Sequence, residues 1–173
     1  MENLVDQTDL VKDAVRDWFS REGIKVETIK NPRAEFLFKV KFHRFIFTVV
    51  RPNDQRYLQI ESQVMISPQH QKLLSVEKMR SFQMETMKFS FQEGLTMGFV
   101  QPRPGQQGPQ PPGPGFVVSD RIYDDAFTEN QLWKTMRKLH GAIDMVIALL
   151  NETTGQPGTK TDESTDTGPS YYT

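Results

Sequence analysis

The segment from Ala34 to Val50, AEFLFKVKFHRFIFTVV, constrains the fold of this chain more than any other stretch. It holds five of the twelve phenylalanines. Phe36, Phe38, Val40 and Phe42 fall on alternate positions and Lys39 and Lys41 between them, which is the period of a strand with one face in a core. Phe45 to Arg51 is apolar on both faces and suits a central strand. His43-Arg44, between the two, is a poor composition for a tight turn. A single strand over 34–50 would be unusually long, so two strands are expected.

The flanks supply helices. From about Thr8 to Glu22, Val11, Ala14, Val15, Trp18 and Phe19 recur at helical spacing and form one apolar stripe. Thr8 or Asp9 can cap that helix and Gly23 can end it. Asp13 with Arg16 and Asp17 with Arg21 are placed to pair on its polar side. Ile24 to Ile29 reads as a short strand, turned by Asn31-Pro32. After the phenylalanine block, Pro52-Asn53-Asp54 marks a turn, and Tyr57 to Ile66 alternates again through Leu58, Ile60, Val64 and Ile66. Ser67-Pro68 is a helix start, with serine as cap and proline at the first helical position.

A short helix from Gln69 to Leu74 is followed by a longer one from Val76 to about Leu95, with Ser75 as its cap. Met79, Phe82, Met84, Met87, Phe89, Phe91 and Leu95 make that helix apolar on more than one side, so it is expected to touch more than the core. A strand starts at Met97. Residues 101–115 are dense in proline and glycine and predict a flexible or polyproline II loop. Its Pro111-Pro112-Gly113-Pro114 spacing reads as spacer rather than as a docking motif. Phe116 to Tyr123 returns as a strand. Thr128 and Gln131 form a capping box for the last helix. Leu132, Met136, Leu139, Ile143, Val146, Ile147 and Leu150 supply its core stripe. The expectation is one α+β domain over 1–151, with an antiparallel sheet in the order α-β-β-β-β-α-α-β-β-α. Residues 152–173 are expected to be a disordered acidic tail.

This order resembles the secretion-chaperone-like fold of type III secretion chaperones and YbjN-like proteins. Within that group the chain is similar to an uncharacterised archaeal family. The residues that carry the likeness are the first helix closing on Gly23-Ile24-Lys25-Val26, then Asn31-Pro32, Ser67-Pro68-Gln69-His70-Gln71, and Arg121-Ile122-Tyr123-Asp124-Asp125 before the final helix. The resemblance spans about residues 8–150. It implies a fold and no functional residue, because its motifs are structural. The loop at 101–115 is longer than the likeness implies.

Composition narrows the function classes. Without cysteine, thiol catalysis, disulfides and cysteine-ligated metals are excluded. The start MENLVDQTDL lacks the basic and apolar regions of a signal peptide, and no apolar run is long enough to span a bilayer. A cytoplasmic protein without membrane association is expected. The net charge of −1 divides into −3 over 151–173 and +2 over the remainder, which by itself does not point to nucleic acid.

No phosphate-binding glycine loop, nucleophile elbow or HExxH pattern occurs. His43, His70 and His140 fall on a strand junction, a helix start and the last helix, and read as polar boundary residues. Asp120, Asp124, Asp125 and Glu129 could hold a hard metal. They read better as carboxylates before a helix N-terminus, where the dipole favours them. No catalytic, cofactor or metal site is therefore expected. Lys25 to Arg56 carries a balance of +5, with Lys39 and Lys41 on the strand face away from the core. That basic face is the candidate for phosphate contact. Nucleic acid remains the weaker reading, since stacking needs exposed aromatics and the phenylalanines are in phase with the core.

The favoured reading is a non-enzymatic protein- or peptide-binding module, chaperone-like or adaptor-like, with a homodimer allowed. Its candidate surface is Met79, Met84, Met87 and Phe91, or a sheet edge open to β-augmentation. Tyr171-Tyr172 is a weak peptide-motif candidate. A small-ligand binder or enzyme without a recognisable motif is the remaining alternative.

Overall fold

The computed structural model describes residues 3–100, 114–155 and 171–172. The elements are α1 (Asn3–Arg21), β1 (Val26–Thr28), β2 (Ala34–Phe42), β3 (Phe45–Pro52), β4 (Tyr57–Ile66), α2 (Pro68–Leu73), α3 (Val76–Glu93), β5 (Thr96–Val100), β6 (Gly115–Tyr123), a 3-10 turn (Asp124–Ala126), α4 (Glu129–Thr154) and β7 (Tyr171–Tyr172). The protein is α+β, and strands β1 to β6 lie in one sheet. The expected order is reproduced, with the 3-10 turn and β7 added. α1 begins earlier than Thr8, because exposed polar residues such as Asp9 cost little inside a helix. Most of the proline- and glycine-rich loop, residues 101–113, and the tail from 156 to 170 lie outside the described residues.

The chain forms two compact units, residues 1–61 with 120–137 and residues 62–119 with 138–173. In the first, β1, β2 and β3 are antiparallel neighbours, and β3 pairs with β4 through Thr48↔Glu61, Val49↔Ile60 and Val50↔Gln59. Phe42 and Phe45 close the β2–β3 hairpin, so His43-Arg44 is a two-residue turn after all. His43 meets the steric demand by adopting a left-handed backbone, φ 53°, which histidine tolerates better than β-branched residues do. The alternation in β2 is as expected: Phe36, Phe38 and Val40 are buried, and Lys41 is exposed. Phe42, at the strand end, is only half-buried. Phe45, Phe47, Val49, Leu58 and Ile60 complete the strand contribution, and Val15, Phe19, Leu132 and Met136 bury the helical one. Trp133 stands edge-on to Phe19 at 5.4 Å, and Trp18 packs on Phe127 at 5.1 Å.

In the second unit, β5 and β6 are antiparallel from Thr96↔Ser119 to Val100↔Gly115. β7 lies parallel on β4, with Met65↔Tyr171 and Ile66↔Tyr172. Ser67 and Ser75 cap α2 and α3 by accepting the His70 and Lys78 N–H groups. Gly94 ends α3 in the left-handed region, φ 61°, the conformation glycine adopts at no steric cost. The α4 stripe from Leu139 to Leu150 is buried on schedule with Phe82, Phe116, Val118 and Met65.

Gly115 is a close-approach glycine. A Cβ there would sit 2.6 Å from the Val64 carbonyl oxygen and 3.0 Å from Met65 Sδ. Backbone oxygen cannot swing aside, so Gly115→Ala must push the two strands apart. The expected cost is about 2 kcal/mol, read as a melting point lowered by roughly 5 °C. An unchanged melt would mean that this approach is looser than 2.6 Å implies.

Candidate functional site

Helix α3 divides the expected methionine and phenylalanine surface in two. Phe82, Thr86 and Ser90 are its buried side, and Phe82 meets Phe99 of β5 edge-on at 5.9 Å. Met79 is half-buried and sits about 60° from Phe82 by helical geometry. Val76, Met84, Met87 and Phe91 lie on the opposite side and are 88%, 53%, 57% and 88% exposed. Arg80 completes their line at i, i+4, i+8, i+11 and i+15 spacing, and Lys88 and Glu85 pair beside it at 2.8 Å. Of the four expected residues, three therefore share one exposed stripe, Val76 joins them, and Met79 does not. Near this helix a cleft of about 500 Å³ is lined by Lys78, Ser81, Glu85, Leu149, Glu152 and Thr153.

The basic face is more mixed than its sequence balance. Lys39 is half-buried and lies directly across from Glu27 on β1, an opposite-charge pair. Its neighbours along β2 and β3 on that face, Leu37, Ile46, Thr48 and Val50, are also half-buried. Lys41 is exposed. The aromatics of β2 are on the other side.

Two members of the acidic group ahead of α4, Asp124 and Glu129, are paired with arginines. Asp124 accepts from Arg51 Nη1 at 2.6 Å and Nη2 at 3.0 Å, a bidentate pair, and Glu35 accepts from Arg51 Nε at 2.8 Å. The hydrogen bond with Asp124, opposed by burial, holds the Arg51 guanidinium charged beyond its ordinary range. Glu129 accepts from Arg21 at 3.0 Å, so Arg21 reaches beyond its own helix. Arg16 keeps its helical neighbour Asp13 at 3.9 Å. Asp120 accepts from the Arg121 N–H, and the Arg121 guanidinium lies 4.6 Å above the Tyr57 ring. Among the described residues no cluster of histidine and carboxylate groups could hold a metal ion.

His70 is the feature that reading along the chain undervalued. It is buried, its Nδ1 lies 2.7 Å from Ser67 Oγ, and its Nε2 lies 2.9 Å from Asn151 Oδ1. Since an amide oxygen only accepts, Nε2 is the donor toward Asn151, and Nδ1 shares a hydrogen bond with the serine hydroxyl. The arrangement has the order of a nucleophile–base–orienter triad. However, Ser67 and His70 are both buried, and the Ser67 oxygen also receives the His70 N–H as a helix cap. The group therefore ties the start of α2 to the end of α4 rather than meeting a substrate. The 81-residue separation of His70 and Asn151 is why no local spacing announced it. His140 lies 3.3 Å from Asp144 one turn on.

A second cleft, of about 470 Å³, opens in the first unit between Glu22, Ile24, Phe42, His43, Trp133 and Arg137. Phe42 and Trp133 are half-buried there, with ring centroids 6.1 Å apart and planes inclined by 34°. The expectation that every β2 phenylalanine serves only the core fails at Phe42, which borders this opening.

The sequence profile described as "Uncharacterized conserved protein (DUF2299)" matches residues 11–150. Among solved structures, an uncharacterized protein from Methanothermobacter thermautotrophicus superposes with a TM-score of 0.71 at 19% identity, over 84% of this chain and 99% of that one. YbjN from E. coli superposes with a TM-score of 0.49 at 13% identity, over 83% of this chain and 91% of its own. No curated protein matches. The likeness to the Methanothermobacter thermautotrophicus structure speaks to the fold alone.

Proposed function

The chain belongs to the DUF2299 family, and from that premise we propose that it is a cytoplasmic, non-enzymatic binding module, adaptor-like or chaperone-like, that holds an apolar segment of another protein. One observation carries the reading. α3 is anchored through Phe82 and Thr86 yet leaves Val76, Met84, Met87 and Phe91 in water on its far side. Scattered exposed apolar residues are ordinary, but a line of them at helical spacing is how helices meet partners. Methionine adapts its shape to varied surfaces. Covering one such side chain contributes about 1.5–3 kcal/mol, so the stripe can support an association on the order of micromolar once ordering costs are met. β5 offers a second route, since no strand pairs with its outer side among the described residues. No helix among them is long and apolar enough to cross a membrane.

The test is a photo-crosslinking residue placed at Met87 in the native host, with and without Met84→Asp and Phe91→Asp. One defined partner should be captured in stoichiometric yield and lost in the double variant, whose melt should stay within about 1 kcal/mol of the parent, as expected of surface changes. A crosslink to a second copy, confirmed by light scattering, would identify a homodimer. Capture unaffected by both aspartates would refute the stripe as the binding surface.

A further inference from the structure

The geometry points to a nucleotide site in the cleft of the first unit, built from Phe42, His43, Trp133, Arg137 and Glu22. It is independent of the α3 stripe. Three features of the lining select the ligand. The first is a pair of aromatic rings on the lining: Trp133 meets Phe19 edge-to-face at 87°, and Phe42 is held by the His43 ring at 4.4 Å and Phe47 at 6.2 Å. Rings fixed in this way lose little freedom when a flat heterocycle stacks on them. The second is the separation of charge. Glu22 and Arg137 line the same opening, yet neither takes part in an ion pair among the described residues. A guanidinium free of carboxylate is suited to a phosphate in bidentate contact, and a carboxylate accepts from exocyclic amino groups of a base. The third is the hairpin turn. The two-residue turn that gives His43 its left-handed backbone also places that residue on the rim of the same opening. The cleft's size lies within the usual range for small-ligand sites, about 300–1,000 Å³. Both a free nucleotide and one residue of a single strand present this chemistry. The basic face at Lys39 and Lys41 plays no part.

The sequence holds two tryptophans, so the full chain with Trp18→Phe leaves Trp133 as a fluorescence reporter inside the cleft. It would be titrated with AMP, GMP, CMP and UMP, with the matching nucleosides, with inorganic phosphate, and with single strands of about ten nucleotides. Calorimetry on the unaltered chain repeats the measurement should Trp18→Phe disturb the fold. Saturable quenching by nucleotides is expected. Arg137→Gln should weaken it by roughly tenfold, the effect of a charge-assisted hydrogen bond, while leaving nucleoside affinity unchanged. Binding of mononucleotides alone assigns the site to a free nucleotide. Much tighter, salt-sensitive binding of the oligonucleotides assigns it to a single strand. Absence of saturation by any nucleotide at millimolar concentration overturns the proposal. So does nucleotide affinity unmoved by Arg137→Gln, or preference for a phenylalanine dipeptide over every nucleotide.

Discussion

A chain carrying Phe38→Asp is expected to show no cooperative thermal transition. Phe38 is completely buried, packs on the Phe36 ring at 4.9 Å and sits opposite Val49 on β3. The Arg16 guanidinium lies 5.3 Å from its ring centroid, a contact with the ring face that the substitution removes. An unpaired carboxylate in that environment must either stay charged without solvent or take up a proton, and it leaves a ring-sized void as well. Losing the ring alone costs about 3–5 kcal/mol. The buried polar group adds about 1–3 kcal/mol, and the sum of about 4–8 kcal/mol reaches the lower half of the usual total of about 5–15 kcal/mol for a domain. The control is one residue away. Lys39→Asp points to the other face, where it would oppose Glu27; that like-charge pair is expected to cost under about 1 kcal/mol. Circular dichroism melts of both variants decide the matter. A cooperative melt for Phe38→Asp, or collapse for Lys39→Asp, would reverse the assigned strand phase.

The second large effect is expected at Arg51. Its side chain is 8% exposed, while those of Asp124 and Glu35 are 31% and 25% exposed. Arg51→Met removes the cation and strands both carboxylates beside an apolar strand. Because those carboxylates keep some access to water, the expected loss is about 3 kcal/mol, the lower end for breaking a buried pair, or roughly a 10 °C fall in melting point. Adding Glu35→Gln and Asp124→Asn to the same chain should recover more than half of it, since the penalty comes from uncompensated charge. If the triple variant is no better than the single one, packing of the arginine stem, not charge, is what matters. The sign of the pH effect follows from the raised guanidinium pKa. The stabilisation is complete below the ordinary arginine value and is lost only as pH rises through the higher folded one. The contribution of this group therefore should not fade within the alkaline range used for melts.

Much of this architecture could be read one residue at a time. The strands of the phenylalanine block, the capped starts of α2 and α4 and the α4 stripe needed only periodicity and local capping chemistry, and all appear where that chemistry puts them. The candidate site was less legible. Periodicity placed Met79, Met84, Met87 and Phe91 on one helix, but it could not say which side of that helix the rest of its unit would cover. Burial of Phe82, Thr86 and Ser90 leaves Met79 off the exposed stripe and brings Val76 onto it.

The remaining features depend on residues distant in the chain. Arg51 and Asp124 are 73 residues apart and His70 and Asn151 are 81; no local window contains both partners of either pair. Phe42 and Trp133 likewise meet only because β2 and α4 come together in one unit. Hydrophobic alternation and capping act over one or two turns of chain, so the sequence alone determined the main elements, their order and the inward faces of β2, β3 and α4. Ion pairs, buried hydrogen bonds and clefts need two or three elements at defined spacing. Tertiary structure alone decided which charges are tied into the framework, as at Arg51, and which, as at Arg137, line a cleft without an ion pair among the described residues.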